Sequence, residues 1–269
     1  MSRKSTGNIV ISALSVKPKS VVVGFSNGEK LDLSYNAYSD LRLYEGKEIG
    51  EKEYALIVKL SQEDRFYSYA ISLLSCGQYT TYEVRGKLLG KGASKEMAFS
   101  IADRLTKDGL LNDRDYALNY VEDIGNPRLD GKRKIVEKLK EKGISAEILS
   151  VLDFPEGKEK EKALRYCETL NRRLAKVPTS KKREKAFGAL LEKGFDGHVA
   201  KEAVEEGIEK TEYEDELSCL RKDLAAARRK FRMTEDTYAR ERKVYAALAR
   251  KGYNHESIKA VMEESEDED

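Results

Sequence analysis

A mainly α-helical chain of tandem three-helix repeats, forming an elongated curved array behind a small β-rich N-terminal domain, is the fold class predicted by three observations. Four Lys-Gly pairs recur at Lys91-Gly92, Lys142-Gly143, Lys193-Gly194 and Lys251-Gly252, with glycine separations of 51, 51 and 58 residues. The same apolar positions surround each pair. The composition is charge-rich and core-poor: 40% apolar and 36% charged residues, against roughly 45–50% and about 25% in ordinary globular domains. A fixed period near fifty residues signals units that bury their apolar faces mainly against their neighbours.

The N-terminal domain, residues 1–62, has a different grammar. Ile9 to Val16 and Val21 to Phe25 are rich in β-branched residues, and Asn27-Gly28 separates the second run from Lys30 to Leu33. Asn-Gly between strand-like runs predicts a hairpin, because both turn residues tolerate positive φ. We expect about three strands, followed by helical segments over 37–44 and 52–60.

The repeats are expected at 63–112, 113–155, 156–210 and 211–264, with an acidic tail at 265–269. In each, a leucine stands three residues before the lysine (Leu88, Leu139, Leu190, Leu248), and Val84, Ile135, Ala186 or Val244 stands four residues earlier. That i, i+4 spacing marks the buried face of a helix. The glycine ends it in the left-handed conformation, and the lysine complements the negative helix C-terminus. After the glycine come an apolar residue (Ala93, Ile144, Phe195, Tyr253) and an N-cap (Ser94, Ser145, Asp196, Asn254) for the next helix. Nine residues past the glycine each copy is apolar again, at Ile101, Leu152, Ala203 and Val261. Phe66 to Leu74, Arg114 to Ile124, Glu159 to Ala175 and Asp215 to Lys230 are the expected first helices. Thr80 to Glu83 reads as a capping box.

Nothing in the sequence points to catalysis, a metal or a cofactor. The two histidines, His198 and His255, occupy non-equivalent repeat positions and lack partners at ligand spacing. There is neither a phosphate-binding GxxxxGK[ST] loop nor a GxGxxG after a strand. Cys76, Cys167 and Cys219 are widely spaced and odd in number, so they are expected to be reduced and mostly buried. No apolar run approaches the ~20 residues of a membrane span, and Met1-Ser-Arg-Lys leads into no signal-type stretch. A cytoplasmic, monomeric, non-enzymatic binding protein is expected, with no membrane partner.

The net charge of +2 conceals segregation. Lys158 to Lys193 holds 12 basic and 5 acidic residues, and Arg221 to Lys251 holds 11 and 4. Ala200 to Glu216 holds 8 acidic and 2 basic residues, and Glu263 to Asp269 is acidic except at Ser265. Such alternation suits a protein that offers faces to polyanions or acidic partners, and it also suits ordinary solvated helix faces. Basic clusters precede the glycine corners: Arg85, Lys87 and Lys91; Arg128, Lys132, Arg133, Lys134 and Lys138; Lys181, Lys182, Arg183 and Lys185; Arg240, Arg242 and Lys243. At a helix start, Lys132 to Lys134 oppose the helix dipole, so a role toward phosphate or an acidic surface is expected of them. A helix-turn-helix DNA reader is disfavoured. The first turns after the corners hold Lys95-Glu96, Ala146-Glu147, Gly197-His198 and Glu256-Ser257 rather than base-reading side chains. Tyr79, Tyr82, Tyr116 and Tyr120 have helical spacing and are expected to pack.

Two segments resemble the RecX family of recombination regulators: Lys107 to Ala117 (KDGLLNDRDYA) and Lys138 to Ser145 (KLKEKGIS). They are similar to the family's Gly-Leu-Leu-Asp-Asp segment followed by an aromatic and Ala, and to its Leu-Arg-x-Lys-Gly-Ile-Ser corner. The repeat pattern extends the likeness over about residues 64 to 262. Asn112 stands where the family has Asp, and Asp130 where its loop is typically more basic. Short members have three units, so the fourth here is expected to be an extra grip or a divergent cap. The resemblance implies a non-enzymatic regulator, without cofactors, that binds the RecA–single-stranded DNA filament along its groove. It also implies modulation, chiefly inhibition, of recombinase, ATPase and strand-exchange activity. A helical-repeat adaptor without a DNA component, and a direct DNA-binding regulator, are the alternatives that the residues leave open.

Overall fold

The computed structural model describes residues 9–264; the expected acidic tail at 265–269 and the first eight residues lie outside them. Two compact bodies are present: one spans residues up to Tyr116 together with Lys142–Ile144, and the other comprises Ala117–Glu141 and the chain from Ser145 onward.

In the first body, β1 (Ile9–Val16), β2 (Val21–Phe25), β3 (Lys30–Leu33) and β4 (Glu48–Ile49) form a sheet in the order β3-β2-β1-β4. The β2–β3 hairpin forms where expected, but only Gly28 takes positive φ, at +85°; Asn27 does not, and the Phe25 N–H reaches the Glu29 carbonyl, so the turn is longer than a two-residue Asn-Gly one. Three strands were expected and four are found. The fourth is two residues long, too short for alternation to reveal, and pairs Ile49 with Ile9. Helix α1 (Tyr35–Asp40) starts on the Ser34 side chain and stops four residues short of the expected Tyr44, where Arg42 turns to positive φ.

Helix α2 (Glu51–Cys76) runs unbroken through the boundary expected at 62/63. Its N-terminal half puts Ile57 into the sheet's core with Ile11, Val23, Phe25 and Leu33. Its C-terminal half puts Phe66 and Ala70 into the core of the first repeat. One helix thus serves two cores, and its sequence stays helical across the change of partner.

The repeats follow the predicted grammar. The first combines the end of α2 with α3 (Thr81–Gly90) and α4 (Lys95–Lys107); the second has α5 (Asp113–Asn119), a π-helical turn (Tyr120–Gly125), α6 (Lys132–Glu141) and α7 (Ala146–Ser150). The third comprises α8 (Glu156–Arg173), α9 (Thr179–Glu192) and α10 (Gly197–Gly207), and the fourth α11 (Tyr213–Phe231), α12 (Thr237–Arg250) and α13 (His255–Glu264). All eight residues of the predicted i, i+4 pairs are buried. The four corner glycines have φ between +79° and +95°. At the first and third corners, Ala93 and Phe195 donate their N–H to Leu88 and Leu190, closing a Schellman motif. The Thr80–Glu83 capping box is complete in both directions, and the side chains of Ser94, Ser145 and Asn254 cap their helices. Asp196 occupies its N-cap position without a side-chain hydrogen bond. Leu152 is only half-buried, because α7 ends at Ser150.

The cysteine expectation needs correction. Cys167 is buried, Cys219 is half-buried and Cys76 is exposed at the end of α2. Burial pushes the Cys167 thiol up to about 11. Among the described residues no helix is long and apolar enough to cross a membrane.

Candidate nucleic-acid interface

The corner lysines are fixed first, because they constrain what the remaining cations can do. In three repeats the corner lysine lies over a tyrosine of its own repeat's first helix: Lys91 over Tyr69 at 5.5 Å, Lys142 over Tyr116 at 5.4 Å and Lys193 over Tyr166 at 5.3 Å. In the fourth, Asp223 takes that part, 2.7 Å from Lys251 Nζ. Tyr116, expected merely to pack, is therefore also a cation–π partner.

Two of these lysines also reach back to the preceding repeat. Lys142 Nζ lies 2.6 Å from Glu83, and Thr80 Oγ1 donates to the Lys142 carbonyl at 2.7 Å. Burial alone would depress the Lys142 ammonium, but Glu83 and Tyr116 outweigh it and hold the pKa above its ordinary value. Burial likewise opposes ionisation of Glu83, and Lys142 and Thr80 reverse that, leaving it below the usual carboxylate range.

The second body repeats this joint with main-chain atoms and buried charges. Gly131 N–H donates to the Lys193 carbonyl at 2.8 Å, and Arg133 N–H to the Gly194 carbonyl at 3.0 Å. A Cβ on Gly131 would collide with the Gly194 backbone, and one on Gly194 with the Lys134 backbone. Asp130, 2% exposed, accepts from Lys138 Nζ at 2.6 Å and Lys193 Nζ at 3.2 Å. Burial works against its ionisation, yet the two lysines keep its pKa below the usual value. Buried Glu159 pairs with Lys162 and accepts the Lys132 N–H at 2.9 Å, so a carboxylate sits at the start of α6. That carboxylate offsets the dipole penalty of the Lys132 to Lys134 run, and its place 27 residues along the chain hides it from sequence.

The expected contact residues divide accordingly. Arg85 is held by Asp103 at 2.9 Å and lies over Phe99, and Lys87 lies over Tyr79. Lys138 belongs to the Asp130 cluster, Lys182 is 3% exposed, and Lys134 is half-buried at its joint. Lys181 is paired with Glu184 and Arg240 with Glu241. Arg128, Lys132, Arg133, Arg183, Lys185, Arg242 and Lys243 are exposed. Lys132 also lies 5.9 Å from the Phe154 ring, and Lys243 Nζ lies 3.4 Å from Thr234 Oγ1.

The structure also gathers cations that the linear clusters did not include. Lys176, Lys222, Arg250 and Lys251 join Lys181 and Lys185 around one cleft. The two basic windows had counted them, but only the packing of the third repeat against the fourth brings them together. His198 pairs with Glu156 and His255 with Tyr245. Among the described residues no His, Cys, Asp or Glu cluster could hold a metal.

The chain is 29% identical over 258 residues to the regulatory protein RecX of Streptococcus gordonii, covering 94% of this chain and 98% of that one. It is likewise 29% identical over 260 residues to that of Streptococcus sanguinis. Along nearly its whole length the chain is similar to the RecX proteins. Residues 224–262 match the family model described as RecX, third three-helix domain. The matched residues lie in the fourth repeat, from α11 to α13. A crystal structure of regulatory protein RecX shares the fold, with TM-score 0.65 at 24% identity over 74% of this chain and all of that one. RecX from Lactobacillus salivarius matches 54% of this chain and 96% of its own, with TM-score 0.50 and 26% identity.

Proposed function

We propose that this protein is a non-enzymatic regulator that binds the RecA–single-stranded DNA filament and inhibits its recombinase, ATPase and strand-exchange activities. The observation that carries the reading is the match, along nearly the whole chain, to regulatory RecX proteins. The recurrence of exposed cations at the second helices of successive repeats supports it. Arg128, Lys132 and Arg133, with Arg183, Lys185, Arg242 and Lys243, are the contacts to phosphate and to acidic filament surface; Lys138 and Lys182 serve the fold. Repeated weak contacts along a periodic partner reinforce one another through effective concentration.

The test is RecA-catalysed ATP hydrolysis and strand exchange on single-stranded DNA, with and without the full-length protein. Both rates are expected to fall as the protein approaches filament stoichiometry. Unchanged rates at excess protein would sink the proposal and leave the adaptor reading.

A further inference from the structure

The cleft at the joint of the third and fourth repeats and the chain that follows the last helix carry opposite charge. The cleft, of about 430 Å³, is lined by Lys176 before α9, Lys181 and Lys185 on α9, Lys222 on α11, and Arg250 and Lys251 at the end of α12. Asp223 is the one carboxylate in the lining, and it is held by Lys251 Nζ at 2.7 Å and the Tyr253 hydroxyl at 3.0 Å. Lys181 is neutralised by Glu184 at 2.6 Å. Lys176, Lys185, Lys222 and Arg250 are exposed and have no carboxylate partner among the described residues. Cations gathered without counter-charge repel one another, so the fold does not account for them.

The counter-charge lies nearby in the chain. Helix α13 ends in Glu263-Glu264, and Ser265 is followed by Glu266, Asp267, Glu268 and Asp269. Acidic residues at a helix C-terminus oppose the macrodipole, so helix stability does not explain this run either. Its starting point is fixed beside the cleft. Glu264 Oε2 lies 3.0 Å from Arg221 Nη2 on α11, and the next residue of α11, Lys222, is in the lining. Five extended residues span up to about 18 Å, enough to carry four carboxylates from Glu264 past Lys222. We infer that residues 265–269 seat in the cleft of their own chain, as a counter-charge that the filament must displace to reach Lys185. The inference rests on the filament reading above, in which Lys185 is a contact, and adds the regulation of that contact. A short tether gives an effective concentration in the millimolar range, so a segment with a dissociation constant of about 1 mM fills the cleft about half the time. The cleft's affinity for the filament is then about halved.

Carbodiimide cross-linking of the full-length protein, without RecA or DNA, tests the seating by joining carboxylates to lysine amines in contact. Unlabelled and heavy-nitrogen protein are mixed in equal amounts, and the linked peptides are read by mass spectrometry. Residues 266–269 are expected to link to Lys176 and Lys222 within one isotope. The links are expected to fade at about 1 M salt, where the screening length is about 3 Å. No links, or links only to lysines outside the lining such as Lys259, overturn the inference. Mixed-isotope links in equal number also overturn it, assigning the cleft to the acidic segment of a second copy.

RecA-catalysed ATP hydrolysis then tests the competition. Glu266→Gln, Asp267→Asn, Glu268→Gln and Asp269→Asn together neutralise the segment, beyond the end of α13. That variant is expected to inhibit at about half the wild-type concentration at low salt. Glu205→Gln, Glu209→Gln, Glu212→Gln and Glu214→Gln, exposed and outside the cleft lining, make the same charge change and are expected to keep the wild-type midpoint. Equal shifts in both variants, or none in the first, overturn the competition. If wild type leaves RecA unaffected, the filament reading fails, and the cross-links still decide by themselves whether the segment occupies the cleft.

Discussion

Two joints in the second body use the same corner in opposite ways. Between the second and third repeats, Lys193-Gly194 is gripped by the main chain at Gly131 and Arg133, while Asp130 takes the corner lysine into a buried cluster. Between the third and fourth, the corner carbonyl of Gly252 is held by the Ser180 hydroxyl at 2.6 Å, and Lys251 turns to Asp223 of its own repeat. The first joint is closed by backbone and buried charge. The second is joined by hydroxyls and leaves a basic cleft beside it. Where a buried carboxylate of the preceding repeat captures the corner lysine, the cations there serve structure. Where none does, they stay at the surface.

The most severe way to break the contrast is Gly131→Val. Its side chain would meet the Gly194 backbone, with an expected loss of about 3 kcal/mol or more, at the upper end of overpacking effects. Urea unfolding followed by circular dichroism measures it, and a loss under about 1 kcal/mol would mean that the two backbones can part cheaply.

Asp130→Asn sharpens the electrostatic half. Removing one partner from a buried ion cluster typically costs about 3 kcal/mol. Because the folded pKa of Asp130 is depressed, its contribution is full above the unfolded value near 3.9 and is lost as pH falls through the lower folded value. The variant should therefore lose stability at neutral pH and show a shallower acid decline than wild type below about pH 4. Parallel acid curves would place the acid sensitivity in other groups.

The smallest effect belongs to the third–fourth joint. Ser180→Ala removes one partly exposed hydroxyl bond and is expected to lower stability by about 1 kcal/mol. A loss as large as that of Asp130→Asn would erase the distinction between the joints.

The repeat skeleton was legible because it rests on local rules: a left-handed glycine, an N-cap and an i, i+4 apolar pair each act within a few residues. What escaped was non-local. The short strand β4 depends on pairing with β1, and the continuity of α2 depends on two cores sharing one helix. The place of Asp130 is the clearest case. Along the sequence it was a departure from a basic loop; in three dimensions it neutralises Lys138 and Lys193, residues 8 and 63 positions away. The exposed basic residues were found by counting charge, but sorting them from buried Lys182 and paired Lys138 required their neighbours. The cleft cations were missed because they come from segments brought together only by packing.

The contact between Gly131 and Gly194 acts as a ruler. Since peptide groups rather than side chains touch there, the spacing of the second and third repeats is set by chain geometry, which is the same whatever the surface residues are. Substitution can then redraw the charge pattern of those repeats without altering their register. An inserted residue between Gly131 and Ile135 would shift that register at once. The exposed surface of these repeats is free to evolve by replacement but not by change of length.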